Sequence, residues 1–524
     1  MLLLLPCLAV GQYEPMARNA FMNQQMQEAF DYWNISRPNT TFHSSFKPYL
    51  SSTFTDATDS AVPFKFYAFK NFFFSKTFNE KPEKRNWYNI QLHPVVDAEF
   101  GYDRLLQKPI ISGLGGTHLK VNINNDFTFA LTVIGGKTML PFFLDTTINK
   151  QKILPAFGQA YGNSSSGYSF FDVTGYASYS PNKYFNFQLG RDKHFIGDGY
   201  RSLLLSDYGP AYPYFRINAH VWRLQYSAWY TWMYDVTNAN GIKANYNNKF
   251  GTFHYLSYNI IKQLNVGLFE NIIWRGTDSN QVRSFDVNYL NPVIFFRPQE
   301  YSLGSPDNAF MGLNINATIL KKIKLYGQLA IDEFNLTDIL ARKGWWGNKQ
   351  GWQLGGKYIN AFGIKGLKLQ AEYNEVRPYT YTHGLVSQNY ASYGMPLAHP
   401  LGANFREFLA FVNYRKNKWE LSFQGMLAIV GKDSASAKSN VGQNIFLSYV
   451  SRTSDFGNYT TQGVKTTLLQ SQIKFTYFII PDMNMRFEMG YVQRAEKNTQ
   501  NYALQNPYFF VSFKTSFWNT YNDY

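Results

Sequence analysis

Apolar and polar residues alternate with a period of two along most of the chain after about residue 60. Residues 367–373 alternate without a break, and residues 419–429, 483–491 and 509–517 repeat the pattern. Similar segments start near residues 117, 127, 184, 222, 253, 313, 323 and 471. Each runs for about 9–11 residues, the length that a tilted strand needs to cross a bilayer with one face toward lipid and the other toward a wet lumen. The pattern predicts an all-β fold, a transmembrane antiparallel β-barrel.

The connections between these segments alternate between tight turns and long loops. Tight turns are expected at residues 124–126, 181–183, 320–322, 415–418 and 481–482, and long loops at 136–166, 191–213, 335–350, 375–404 and 431–443. Outer-membrane barrels show this asymmetry, with short periplasmic turns and long outer loops. A soluble propeller would show a repeat of about 40–50 residues, and none is found. Counting gives 16 to 20 strands, and an even number near 18 is predicted, with a last strand at 508–517.

The amino-acid composition excludes several classes of protein. The 524 residues are 18% aromatic and 16% charged, and the charged fraction lies well below the roughly 25% of soluble domains. The single cysteine, Cys7, excludes a disulfide scaffold, a cysteine-rich zinc module and an iron–sulfur protein. No apolar run reaches the roughly 18 residues that a membrane-spanning helix needs.

The N-terminal region differs from the rest of the chain. Residues 1–11 read as a signal peptide, because an apolar run is followed by Ala9-Val10-Gly11 with cleavage before Gln12. Residues 12–60 are predicted to be periplasmic, with a helix over residues 14–33 and a linker after it. The barrel is expected to span residues 61–518, with a C-terminal tail at 519–524, in the outer membrane of a bacterial cell.

Residues 189–216 carry the most individual pattern. A Gly-rich turn, a Leu triplet and a Pro/Tyr-rich bend follow one another, which indicates an ordered loop. The polar and glycine residues singled out in it are Arg191, Asp192, His194, Gly197, Gly199, Arg201, Ser202, Ser206 and Asp207. A structural network of salt bridges and hydrogen bonds is the preferred interpretation for its charged members, and a ligand site is the alternative.

This segment resembles the signature of the Wzi-like capsule-assembly family of outer-membrane barrels. The resemblance lies in Gly190-Arg191, in the glycine turn 195–199 and in Ser202-Leu203-Leu204-Leu205-Ser206, with a second similar segment at 285–295. Ile196, Asp198 and Asp207 stand where the family usually has Trp, Pro and Asn. The version found here is most similar to the Bacteroidetes branch that includes gliding-motility proteins of the RemB type. The resemblance implies a lectin-like barrel of about 18 strands that holds exported capsular polysaccharide at the cell surface.

The formal charge of +15 favours anionic ligands. Acidic surface polysaccharide and lipopolysaccharide phosphate fit equally well on charge alone, beside outer-membrane lipid. Nucleic acid is not expected as a partner, because the basic residues are dispersed and no nucleic-acid motif is present.

Sugar recognition needs aromatic platforms beside charged or amide groups, and the long loops offer several. The candidate polysaccharide-binding residues are Arg342, Lys343, Trp345, Trp346, Lys349, Arg377, Tyr379, Tyr381 and Arg406. For each of them the alternative is an aromatic belt at the membrane interface. The segment 342–349 is the strongest candidate, with two Trp among three cations.

No catalytic, metal or cofactor site is predicted. Asp97 and Glu99 share a strand face, as a glycosidase pair would, but lumen-facing charge explains them, and the eight His residues are scattered.

The hypotheses are therefore a polysaccharide-binding surface-assembly barrel, a diffusion porin, and an accessory of gliding motility or surface-protein secretion with a protein partner.

Overall fold

A computed structural model describes residues 17–53, 74–78, 87–239, 241–278, 281–282, 284–295, 307–434 and 440–524. The signal peptide expected at residues 1–11 lies outside the described residues, as do the first residues of the expected helix and the end of the linker.

Eighteen antiparallel strands form a closed barrel in which every strand pairs with its neighbours in chain order. The strands are β1 Tyr88–Asp103, β2 Lys108–Ile123, β3 Phe127–Thr138, β4 Gly167–Tyr179, β5 Phe185–Asp192, β6 Tyr212–Val221, β7 Leu224–Asp235, β8 Asn247–Ile261, β9 Leu264–Arg275, β10 Asn308–Ile319, β11 Ile323–Glu333, β12 Lys349–Ile359, β13 Leu367–Val376, β14 Phe405–Lys416, β15 Trp419–Lys432, β16 Val464–Ile480, β17 Met485–Asn498 and β18 Ala503–Lys514. Pairing of Tyr508–Lys514 in β18 with Asp97–Asp103 in β1 closes the circle. The predicted fold class is confirmed.

The alternation of side chains explains why these segments form a barrel wall. In β17, Phe487, Met489 and Tyr491 are exposed on the outside, whereas Arg486 and Glu488 are buried in the lumen. An apolar outer face meets lipid, and a polar inner face is hydrated or paired inside.

The two ends of the barrel differ in their connections. Short turns at 124–126, 180–184, 222–223, 262–263, 320–322, 360–366, 417–418 and 481–484 define one end, which the usual asymmetry makes the periplasmic end. The other, outer end carries the long connections 139–166, 193–211, 236–246, 276–307, 334–348, 377–404 and 433–463. Two outer connections, 104–107 and 499–502, are short, so the alternation is not strict.

Among the described residues the α-helices are α1 Gln24–Ser36, α2 Phe142–Gln151 and α3 Leu336–Leu340. None of them is both long and apolar enough to cross a bilayer. The 3₁₀ turns are Ser51–Thr53, Lys243–Asn245, Val287–Leu290, Ala361–Gly363, Val386–Gln388, Tyr449–Ser451 and Pro481–Met483. The short strands outside the 18-strand series are Phe46–Lys47, Phe74–Phe78, Ile153–Leu154, Gly158–Gln159, Tyr161–Asn163, Phe195–Ile196, Thr277–Asp278, Gln281–Val282, Ala391–Ser392 and Met395–Pro396.

The helix expected over residues 14–33 begins later than its composition suggests. Its N-cap is Asn23, whose side-chain oxygen accepts a hydrogen bond from the Met26 amide at 2.8 Å. Residues 17–23 are not helical, because the Ala20 amide donates to the Tyr49 carbonyl and the Asn19 side chain bonds Gln188 on the barrel wall. Tertiary pairing therefore overrides the helix propensity of this stretch.

Three segments enter the lumen and fill much of it: the N-terminal segment 17–53, the outer loop 193–211 and the C-terminal segment 515–524. The N-terminal segment and the outer loop pair as a small antiparallel ladder, with Phe46 opposite Ile196. The Leu203–Leu205 triplet of the outer loop is fully buried among wall residues. The barrel thus has an interior core in addition to its lipid-facing surface.

Candidate functional site

Asp198 joins the outer loop 193–211 to the N-terminal segment and to the wall. Its carboxylate accepts hydrogen bonds from the hydroxyls of Ser44 at 2.6 Å and Ser45 at 2.5 Å, and it pairs with Lys324 Nζ at 2.6 Å. Burial alone would raise the pKa of Asp198, but Lys324 and Lys47, with the hydrogen bonds, outweigh it and hold the pKa below the ordinary range. Asp198 is therefore a buried, ionised anchor.

Ser202 shapes the backbone of the Leu triplet. Its hydroxyl donates to the Ile196 carbonyl at 2.5 Å and accepts from the amides of Leu204 and Leu205, each at 3.1 Å. Gln328 on β11 accepts from the Leu203 amide at 2.8 Å. Because the buried backbone groups are paired in this way, the apolar triplet can pack inside the lumen.

Arg201 connects the same loop to the tail and to β14. Its guanidinium lies 3.2 Å from Glu407 and 3.1 Å from the Asp523 carboxylate, and all three side chains are buried. Burial lowers the pKa of Arg201, and the two carboxylates raise it further than burial lowers it, so the group stays charged. The Glu407 carboxylate also accepts a hydrogen bond from His399 Nε2 at 2.7 Å, which completes this buried network.

The other residues singled out in the segment 189–216 also make protein contacts. Arg191 pairs with Asp172 at 2.6 Å, and Asp192 accepts from the Lys193 amide at 2.9 Å. His194 lies 3.3 Å from the Tyr212 hydroxyl, and its ring meets Tyr214 edge-on at 4.6 Å. Ser206 accepts a hydrogen bond from the Tyr208 amide, and Asp207 accepts from the side chains of Asn519 and Tyr521. The Gly197 amide donates to the Ser45 carbonyl. Gly199 lies close to the Glu372 carboxylate.

The loops 334–348 and 433–463 pack against each other at the outer end of the barrel. The amides of Gly457 and Asn458 donate to the carbonyls of Lys343 and Gly344 at 2.9 and 2.8 Å. The Trp346 amide donates to the Asp455 carbonyl at 2.9 Å. These backbone bonds hold the Trp-containing segment in one conformation although it belongs to a loop.

Trp345, Trp346, Tyr449 and Arg452 form what we call the outer aromatic cluster. The Trp345 and Trp346 rings lie 5.8 Å apart, and the Trp346 and Tyr449 rings lie 4.7 Å apart. The Arg452 guanidinium sits 4.4 Å from the centre of the Trp346 ring, and its Nε pairs with Asp455 at 2.6 Å. Such a stack of rings and a cation is held by dispersion and cation–π attraction.

Exposed groups surround the outer aromatic cluster. Arg342 and Lys343 are exposed beside it, and the exposed Tyr459 donates to the Arg342 carbonyl at 3.2 Å. Trp345, Trp346 and Tyr449 are each partly exposed, so the outer aromatic cluster reaches solvent at the end of the barrel where Arg342 and Lys343 are exposed. In the part of the chain that the structure describes, no three His, Cys, Asp or Glu side chains are grouped as metal ligands.

Four of the candidate polysaccharide-binding residues make contacts within the protein. Tyr379 and Tyr381 are fully buried, and their hydroxyls donate to the carbonyls of Asn440 and Leu203. Lys349 is buried between Asp332 and Glu333, at 3.4 Å from each. Arg377 Nε donates a hydrogen bond to the Asn348 carbonyl at 2.7 Å, which links Arg377 to the loop 334–348. Tyr379, Tyr381 and Lys349 are thus buried away from the surface, whereas Arg377 is partly exposed and its sugar contact stays a prediction.

Arg406 lies elsewhere on the barrel, and its role in binding stays a prediction. Its side chain points to the outside of the barrel wall, is 49% exposed and pairs with Glu375 at 3.1 Å. It therefore lies apart from the outer aromatic cluster, whose candidate residues from the sequence are Arg342, Lys343, Trp345 and Trp346.

Tyr449, Arg452, Asp455 and Tyr459 were missed by sequence reasoning. The loop predicted at 431–443 in fact continues to residue 463. The signal was available, since Tyr449-Val-Ser-Arg452 shows the same combination of ring and cation as the Trp segment. Nothing local indicates, however, that two segments about 100 residues apart in sequence share one surface.

The fold and the filled lumen define an outer-membrane type of β-barrel. In comparison with solved structures, Wzi, an outer-membrane protein involved in group 1 capsule assembly in Escherichia coli and described as a carbohydrate-binding β-barrel, aligns over 95% of this chain and 99% of its own, with a TM-score of 0.59 and 11% identity. The outer-membrane protein OprD from Pseudomonas aeruginosa aligns over 81% of this chain and 92% of its own, with a TM-score of 0.45 and 9% identity. No protein-family model and no curated protein sequence matches the chain. At 11% identity, the likeness to Wzi establishes the fold.

Proposed function

We propose that this protein is an outer-membrane, lectin-like barrel that binds exported acidic polysaccharide and helps to assemble or anchor it at the cell surface. The observation that carries the proposal is the outer aromatic cluster, with Arg342 and Lys343 beside it. Ring faces suit the apolar faces of sugar rings, and the neighbouring cations suit carboxylate groups.

The filled lumen supports this proposal over a diffusion porin. A porin needs a continuous aqueous path, whereas here the N-terminal segment, the outer loop 193–211 and the tail meet inside the barrel. The likeness in fold to a carbohydrate-binding barrel points in the same direction. No observation in the described residues specifically favours a motility or secretion accessory. The gene deletion described below tests for that role.

The orientation of the barrel follows from the proposal. The short turns of the barrel lie in the periplasm in this orientation. The outer aromatic cluster, at the opposite end, then faces the cell surface, where exported polysaccharide is found. Lipopolysaccharide would then contact the outer half of the wall, including the exposed Arg406.

Deletion of the gene tests the proposal. We expect cell-attached polysaccharide to fall and shed polysaccharide to rise in the same culture, because chains are still exported but are not retained. Unchanged attached and shed pools would contradict an anchoring role, and a motility or secretion defect in such a strain would favour the accessory role.

A further inference from the structure

Six consecutive turns at the periplasmic end of the barrel each carry a cationic side chain. They are the turns that join β4 to β5, β6 to β7, β8 to β9, β10 to β11, β12 to β13 and β14 to β15. Their cations, which we call the turn cations, are Lys183, Arg223, Lys262, Lys321, Lys322, Lys365 and Lys418. Arg223 is partly exposed, and the other six side chains are exposed. Because turns two strands apart stand about 10 Å from one another, the turn cations follow the rim from β4 to β15.

No carboxylate neutralises the turn cations. None of the six turns contains Asp or Glu, and no ion pair of a turn cation occurs in the part of the chain that the structure describes. Arg223 and Lys418 each donate to a backbone carbonyl, at 3.0 and 2.9 Å, which leaves their charges uncompensated. The two other turns of this end contain Asp126 and Asp482 but no cation. Neighbouring turn cations lie within about one Debye length, so their fields combine along the rim.

Each of the six turns also carries or adjoins a large apolar side chain that is exposed. These side chains are Tyr184, Trp222, Ile261, Leu320, Phe362, Ile364 and Trp419. Leu320 is 82% exposed and Phe362 is 76% exposed. Such exposure is unfavourable in water but suits a membrane interface, where apolar and aromatic side chains enter lipid beside cations at the headgroups. A soluble anion would leave this apolar surface uncovered.

Three of these apolar residues adopt a backbone conformation that favours Gly or Asn. The φ angles of Trp222, Leu320 and Phe362 are +57°, +53° and +56°, in the left-handed region where a Cβ crowds the backbone. Glycine would form the same turns at a lower conformational cost. Backbone strain of this kind persists where the side chain has a function, and insertion into lipid is a function that exposed apolar surface can perform.

We propose that the turn cations form a binding surface for anionic phospholipid headgroups in the periplasmic leaflet of the membrane. The exposed apolar side chains enter the edge of that leaflet and hold the neighbouring cations at the level of the phosphate groups. The ammonium and guanidinium groups then pair with phosphate oxygens. This inference requires a barrel in a membrane with its short turns in the periplasm, and it does not rest on polysaccharide binding.

The experiment reconstitutes the full-length protein in phosphatidylcholine vesicles that contain a trace of spin-labelled lipid. Electron paramagnetic resonance measures the fraction of labelled lipid held at the protein, for phosphatidylglycerol and for phosphatidylcholine. We expect phosphatidylglycerol to associate about threefold more strongly, because several cations act on its negative charge. The variant Lys262→Gln/Lys321→Gln/Lys322→Gln/Lys365→Gln should remove most of this preference.

Two matched controls accompany this variant. Replacement of the same four residues by Arg retains the charges and should retain the preference. The variant Arg104→Gln/Lys108→Gln/Lys465→Gln/Lys497→Gln removes four exposed cations near the outer end and should leave most of the preference in place. Heat-modifiable mobility on gels verifies that every variant is folded.

Equal association of the two lipids with the folded wild-type protein would overturn the proposal. An equal loss of preference in the outer-end control and in the turn variant would overturn it as well, because the turns would then have no special role. Sedimentation with purified peptidoglycan tests the other anionic partner at this end of the barrel. Peptidoglycan binding that the four turn substitutions abolish, without a preference for phosphatidylglycerol, would assign the turn cations to the cell wall instead.

Discussion

Arg201 and Asp523 form an ion pair inside the barrel, with Nη1 3.1 Å from the carboxylate and Nη2 donating to the Asp523 carbonyl at 2.7 Å. The first residue belongs to an outer loop and the second to the C-terminal tail, 322 residues later in the sequence. The pair fastens the tail to the loop, and Glu407 ties both to the wall. The interior of the barrel is therefore one connected structure.

Substitution of Arg201 tests how much this connection stabilises the barrel. Arg201→Met leaves Glu407 and Asp523 buried without their cation, which costs about 3–5 kcal/mol when one partner of a buried pair is lost. We expect a clearly lower midpoint for heat-induced unfolding, measured by the mobility shift on gels. Arg406→Met is the control, because its exposed pair with Glu375 contributes less than about 1 kcal/mol. Equal midpoints for the two variants would show that the lumenal pair is unimportant.

Acid should weaken the anchor at Asp198. Burial raises the pKa of this carboxyl, but Lys324 and Lys47 lower it further, so its folded pKa lies below the unfolded value, which is about 3.9. Ionised Asp198 therefore contributes its full stabilisation of the folded state when the pH is above the unfolded pKa. This stabilisation is lost as the pH falls from the unfolded pKa toward the folded pKa. We expect the difference in unfolding midpoint between wild type and Asp198→Asn to be large at pH 5–7 and to shrink below about pH 4. A difference that stays constant down to pH 2.5 would contradict this assignment.

Gly197 should not tolerate a side chain. Its φ is +136°, and an added Cβ would lie 2.6 Å from Gln328 Nε2. Gly197→Ala is expected to lose about 3 kcal/mol of stability from strain and collision together. Gly363→Ala has a φ of +81° with no atom within 4 Å, so only the conformational cost of about 1–2 kcal/mol applies. Comparison of the two unfolding midpoints separates collision from backbone strain, and a Gly197→Ala variant as stable as Gly363→Ala would argue against the close packing at Gln328.

Loss of a single ring should weaken polysaccharide binding at the outer surface. Trp346 contacts Trp345, Tyr449 and Arg452, so Trp346→Ala disrupts the stack as well as removing a platform. We expect affinity for the purified surface polysaccharide to fall about tenfold, equivalent to about 1.4 kcal/mol. Trp222→Ala, at an exposed turn of the opposite end, should leave affinity unchanged. Surface plasmon resonance with immobilised polysaccharide measures both variants, and equal affinities would remove Trp346 from the site.

The strands and most turns were predictable because they depend on local signals. Alternation in residues 367–373 reflects one lipid face and one lumen face, and the turn at 320–322 lies where the alternation stops. The predicted starts were late in places, as in β8, which begins at Asn247 rather than near residue 253. Polar and small residues at strand ends hide the alternation there.

The candidate site was predictable only in part, because long-range contacts decide it. Trp345 and Trp346 were identified by composition, and the structure leaves both partly exposed. Tyr381 has a similar local context in sequence, but its hydroxyl reaches the Leu203 carbonyl inside the lumen. No local pattern distinguishes a loop that folds inward from one that stays at the surface, and the same applies to the partnership of Trp346 with Tyr449.

The most direct measurement complements a deletion strain with either the wild-type gene or the Trp345→Ala/Trp346→Ala variant and compares cell-attached with shed polysaccharide. Equal amounts of folded protein in the outer membrane are verified first. We predict that the wild-type gene restores the attached pool and that the double variant leaves most polysaccharide in the shed pool. Full restoration of the attached pool by the double variant would contradict the role of the outer aromatic cluster in holding polysaccharide.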